Sequence, residues 1–83
     1  MMPTVLRLRG LRVAIYPADH GPAHVHVLSV NEEAVFILHC PEGPPELRDN
    51  YGFKQNDVSA IIDALTNVLN GLCQEWSRIH GTK

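Results

Sequence analysis

The eight residues HGPAHVHV, His20 to Val27, hold three of the chain's five histidines. Side chains two apart on an extended strand share a face, so His24 and His26 point together while Val25 and Val27 point away. Two strand rises separate the paired Cα atoms by ~6.6 Å. Imidazoles at that spacing suit two kinds of chemistry. As acid and base near neutrality, with cations nearby to hold developing charge, they can cleave a phosphodiester. With Zn–N bonds of ~2.0 to 2.1 Å, they can instead converge on one zinc ion.

Either chemistry needs companions, and the sequence offers a set for each. Arg7, Arg9, Arg12 and Tyr16 alternate with leucines and Val13 in the runs VLRLRG and LRVAIY. If the apolar residues face the core, these four share the outer face of the histidine pair. They would then bind phosphate, with His20 beside them in the preceding turn. For a metal, the nearest third ligand is Asp19 or His20, with His39 and Cys40 farther along the chain. Zinc takes three or four protein ligands, and two on a strand do not complete a site. The first expectation is therefore a cofactor-free face, in which His24 and His26 act as acid and base on RNA or another phosphate ligand. Zinc held by His24, His26 and Asp19 or His20 is the alternative. A protein–protein interaction role without chemistry is the third reading.

Composition narrows the class of protein. A chain of 83 residues with 45% apolar and 19% charged side chains reads as one globular domain, and a net charge of -2 gives no overall basic footprint. No apolar run approaches the ~20 residues of a membrane-spanning helix. The opening MMPTVLRLRG lacks a signal-peptide pattern, so the expected location is cytoplasmic. Cys40 and Cys73, each in an apolar context, are then expected as free thiols with a packing role. Glycine-rich nucleotide loops and Cys-x-x-Cys motifs are absent from the sequence.

The elements that must position these groups follow from periodicity. Residues 1–39 alternate in four runs, predicting an antiparallel β-meander of four strands. Residues 40–53, CPEGPPELRDNYGF, hold three prolines and two glycines and read as an irregular connection. Across 54–80, the apolar positions Val58, Ile61, Ile62, Leu65, Val68, Leu69, Leu72, Trp76 and Ile79 form one stripe at helical spacing. Asn56 or Asp57 would cap the helix start, and Gly81 suits its end. The expected fold is thus a single α+β domain: a small four-stranded meander sheet with one long C-terminal helix packed on one face.

Several of these residues together resemble one family. PTVLR (Pro3 to Arg7), Tyr16, the run Asp19-His20-Gly21-Pro22, His24-Val25-His26-Val27, Asn50, Gly52-Phe53 and Trp76 are similar to the small bacterial family called domain of unknown function 4160. The resemblance implies an α+β fold with a short antiparallel sheet and a helical C-terminus. It also implies a genomic setting like that of a toxin–antitoxin pair, with a cognate small protein encoded nearby. Three features depart from the family pattern: Ala23 precedes HVHV in place of a proline, CPEGPPEL is longer than the usual turn, and Lys54 stands where Ser or Thr is usual.

Helix length predicts a further partner. A continuous helix from Asp57 to His80 would extend ~36 Å, whereas strands of six or seven residues span ~20 to 23 Å. Leu72, Trp76 and Ile79 would overhang the sheet. They are expected to pack on a second copy in a homodimer, or on the cognate partner.

Overall fold

A computed structural model of the chain describes residues 4–8 and 10–81. Its sheet has five strands: β1 (Thr4–Leu8), β2 (Leu11–Ala14), β3 (His24–Leu28), β4 (Glu33–Ile37) and β5 (Glu46–Tyr51). They lie in chain order, each antiparallel to the next. Two helices follow, α1 (Gln55–Asn67) and α2 (Leu69–His80). The α+β class and the meander agree with the sequence reading; the fifth strand and the second helix correct it.

β5 arises inside the segment expected to be an irregular connection. Its sequence, ELRDNY, has one aliphatic residue, and an edge strand tolerates such polarity because one face and one edge meet water. Leu47 supplies the inward contact by pairing with Phe36. Asn50 then closes the turn into α1: its side-chain amide donates to the Phe53 carbonyl at 2.9 Å, and its Oδ1 accepts from the Phe53 N–H at 3.0 Å. This turn starts α1 at Gln55, with Lys54 at the N-cap and no side-chain cap, earlier than the expected caps at Asn56 or Asp57. Gly52 carries φ of 109°, and a Cβ there would stand 2.9 Å from Glu32 Cγ. Gly52→Ala is therefore expected to cost about 1–2 kcal/mol of stability, read by thermal unfolding.

The helix breaks at Val68, whose φ of -120° and ψ of 15° leave the α region. The cause lies in the run Thr66-Asn67-Val68-Leu69-Asn70-Gly71, which is poor in strong helix formers. The Thr66 hydroxyl also donates to the Ile62 carbonyl at 2.7 Å, a bond that bends helices. Val68 N–H turns back to the Leu65 carbonyl at 3.1 Å, closing α1 with a tight turn. Hence no continuous ~36 Å helix overhangs the sheet. Trp76 and Ile79 are half-buried against the same core as Leu69 and Leu72.

The core lies between the helices and one face of the sheet. Val13, Val25, Val27, Ala34 and Phe36 from the sheet meet Val58, Ile61, Leu65, Leu69 and Leu72 from the helices. The apolar stripe read from the sequence is thus the face that packs. A disulfide joins Cys40, after β4, to Cys73 in α2, with Cα atoms 5.8 Å apart, and replaces the expected free thiols. A separation of 33 residues gives no sequence signal for that meeting; the fold creates it. No helix among the described residues is long and apolar enough to cross a membrane.

Candidate metal centre

The register of β3 places both histidines on the sheet face opposite Val25 and Val27. His26 pairs with Ala14 on β2 and Val35 on β4, and His24 pairs with Ile37. Arg12 lies opposite Leu28, and Arg7 opposite Arg12, so both arginines share the face of the histidines. Tyr16 meets the His26 ring edge-on, with centroids 4.6 Å apart. Arg9 lies outside the described residues.

This face is less open than the alternation pattern implies. The Asp19 N–H bonds the Tyr16 carbonyl at 3.0 Å, turning the chain after β2 back across the sheet. Asp19 Oδ2 thereby sits 3.0 Å from His24 Nε2 and 2.9 Å from His26 Nε2. From the other side, the Trp76 ring lies 5.2 Å from the His24 ring and stacks on His80 at 3.8 Å. His24 is consequently 5% exposed, a buried polar side chain on what the sequence presents as an outer face.

The outer nitrogens of both rings are also held. His24 Nδ1 donates to the Pro22 carbonyl at 2.8 Å, and His26 Nδ1 lies 3.2 Å from Glu33 Oε2. All four ring nitrogens therefore face oxygen acceptors. A neutral imidazole has one N–H, so two neutral rings supply only two protons for four acceptor contacts. With each Nδ1 proton committed outward, both Nε2 lone pairs aim at one carboxylate oxygen. A cation placed among Asp19, His24 and His26 removes that repulsion, and their ligand atoms all lie within 4.8 Å of one another. Without a cation, the alternative relief is a proton between ring and carboxylate: burial pushes the Asp19 pKa up, but hydrogen bonding to His26 and attraction to His26 and His24 outweigh this and hold it below the usual carboxylate value.

Not every candidate joins the cluster. His20 is exposed and lines the adjoining pocket, while the nitrogen and oxygen donors that gather are those of Asp19, His24 and His26. Arg7 and Arg12 share the face but do not line that pocket. His39 instead pairs with Glu46 at 2.7 Å, and Cys40 is held in the disulfide. Glu33 is the partner that sequence reasoning missed. Its signal is hairpin register: the tight turn after Leu28 sets Leu28 opposite Glu33, and so puts Glu33 on the face of His26.

Fold and site together define a small α+β domain whose antiparallel meander carries a two-histidine, one-carboxylate cluster beneath a returning loop. Residues 10–77, which include the whole cluster, match the family described as Domain of unknown function (DUF4160), and the chain belongs to that family. The PTVLR opening precedes the matched span. No curated protein and no solved structure matches the chain.

Proposed function

We propose that this protein binds a divalent transition metal, with zinc the best fit, through Asp19 Oδ2, His24 Nε2 and His26 Nε2. The observation that carries this reading is the convergence of both Nε2 atoms on one carboxylate oxygen while both Nδ1 atoms are held by acceptors. Metal-ligating histidines have this outer support, a backbone carbonyl or carboxylate on the second nitrogen that fixes the tautomer and ring orientation. Two imidazoles and one carboxylate make a donor set shared by catalytic zinc and non-haem iron sites, in which remaining positions are left for water or substrate. A metal held this way acts as a Lewis acid and makes bound water a stronger acid.

The same geometry disfavours His24 and His26 as acid and base on RNA. Asp19 occupies the space between their Nε2 atoms, Glu33 flanks His26, and Asp49 lines the same pocket. A phosphodiester approaching the rings would meet the carboxylates of Asp19 and Asp49, with Arg48 the one arginine among the described residues that line the pocket.

The test is calorimetric titration of metal-free protein with Zn²⁺, Co²⁺ and Fe²⁺. One ion per chain, with Co²⁺ giving absorption bands of a mixed nitrogen and oxygen site, is the expected result. Cu²⁺ should quench Trp76 fluorescence because the indole lies against the His24 ring. No saturable binding of any of these ions would overturn the reading. Glu33→Gln, which weakens the support of His26, is expected to lower zinc affinity 10- to 100-fold in the same titration.

A further inference from the structure

Beside the three ligands lies an open pocket of about 530 Å³, whose walls the metal reading leaves without a role. Val35 and Ile37, the β4 partners of His26 and His24, give it an apolar surface, and Pro22 extends that surface. The rest of the lining from the sheet comes from an irregularity in β5. Val35 pairs with Asp49 and Phe36 with Leu47, so Arg48 is an extra residue between two regular pairs. Bulges of this kind re-aim side chains and recur beside functional sites. Here the bulge brings the consecutive residues Arg48 and Asp49 both to the pocket.

Arg48 makes one loose contact, its Nε lying 3.6 Å from Asp49 Oδ2, and its side chain is half exposed. Among the described residues no protein group engages its two terminal nitrogens. A planar guanidinium with free N–H groups matches a carboxylate through two parallel hydrogen bonds. The charge inventory sets the valence of the ligand. With a divalent ion on Asp19, the ion and Arg48 set against the carboxylates of Asp19 and Asp49 leave one positive charge, which a monoanion neutralises and a dianion overshoots. We infer that the pocket takes a small organic monocarboxylate with an apolar body, its carboxylate on Arg48, its body on Val35 and Ile37, and its far end toward the metal. This names the ligand class of the proposed metal site, and it rests on that reading for the charge balance and the far end, while the pairing of the carboxylate with Arg48 is independent of it.

The probes are phenylacetate, its neutral isostere phenylacetamide and inorganic phosphate, each titrated into zinc-loaded and zinc-free protein. Phenylacetate is expected to bind at least about 10-fold more tightly than either of the others, as a charge-assisted pair allows. Arg48→Gln should erase the preference for phenylacetate over phenylacetamide, while Arg48→Lys should retain part of it. Equal binding of phosphate and phenylacetate, or an unchanged preference in Arg48→Gln, would overturn the assignment. Zinc uptake is read in the same samples. Its absence would sink the metal reading, and the Arg48 dependence in zinc-free protein would still decide the ligand class.

Discussion

His26→Ala is expected to eliminate zinc binding, with an affinity loss well beyond the 10- to 100-fold typical of removing an outer support. His26 contributes one of three converging donors and also carries the connection to Glu33, so its removal leaves one imidazole and one carboxylate. Two donors are too few for a stable protein site. Thermal unfolding gives an independent readout. Zinc at a hundredfold excess over its dissociation constant stabilises a native-only site by about 2.7 kcal/mol, which in a domain of this size raises Tm by roughly 10–20 °C. The wild-type protein should show that rise, and His26→Ala should show none. A similar rise in both would place the metal elsewhere.

Cys73→Ser is the second substitution with a large expected effect. The disulfide ties α2 to the connection after β4 across a separation of 33 residues, and closing a loop of that size removes about 3–4 kcal/mol of chain entropy from the unfolded state. Loss of the bond should lower Tm by roughly 12–30 °C. Reductant should lower the wild-type Tm by a similar amount and leave Cys73→Ser unmoved. Titration of two free thiols in native protein, with no response of Tm to reductant, would show that the bond does not form in solution.

How much of this was legible in the sequence depends on the range over which each feature is decided. His24 and His26 share a face because alternation is local, and residues 24–28 form a strand as their pattern predicts. The helical stripe was legible for the same reason, since Val58, Ile61, Leu65, Leu69 and Leu72 repeat at the spacing that buries them. Asp19 was named as a candidate ligand, but its return over the rings depends on the path of a loop, which composition does not encode. Burial of His24 depends in turn on Trp76, more than fifty positions away. β5 is not legible because Glu46–Tyr51 has too little apolar alternation to stand out from the prolines before it. The break at Val68 occurs where the apolar stripe keeps its phase, so only weak propensity and the Thr66 hydroxyl mark it.

The Cys40–Cys73 bond also changes the mechanical topology of the chain. It closes a covalent ring that contains all of β5 and α1, leaving β1 to β4 on one side and most of α2 on the other. Tension applied between the two termini would pass directly from Cys40 to Cys73 through the sulfur atoms. The segment between them, about 110–120 Å long when fully stretched, would be withheld from extension until the bond is reduced. A backbone cut anywhere inside the ring would likewise release no fragment, because the Cys40–Cys73 bond still joins the two pieces.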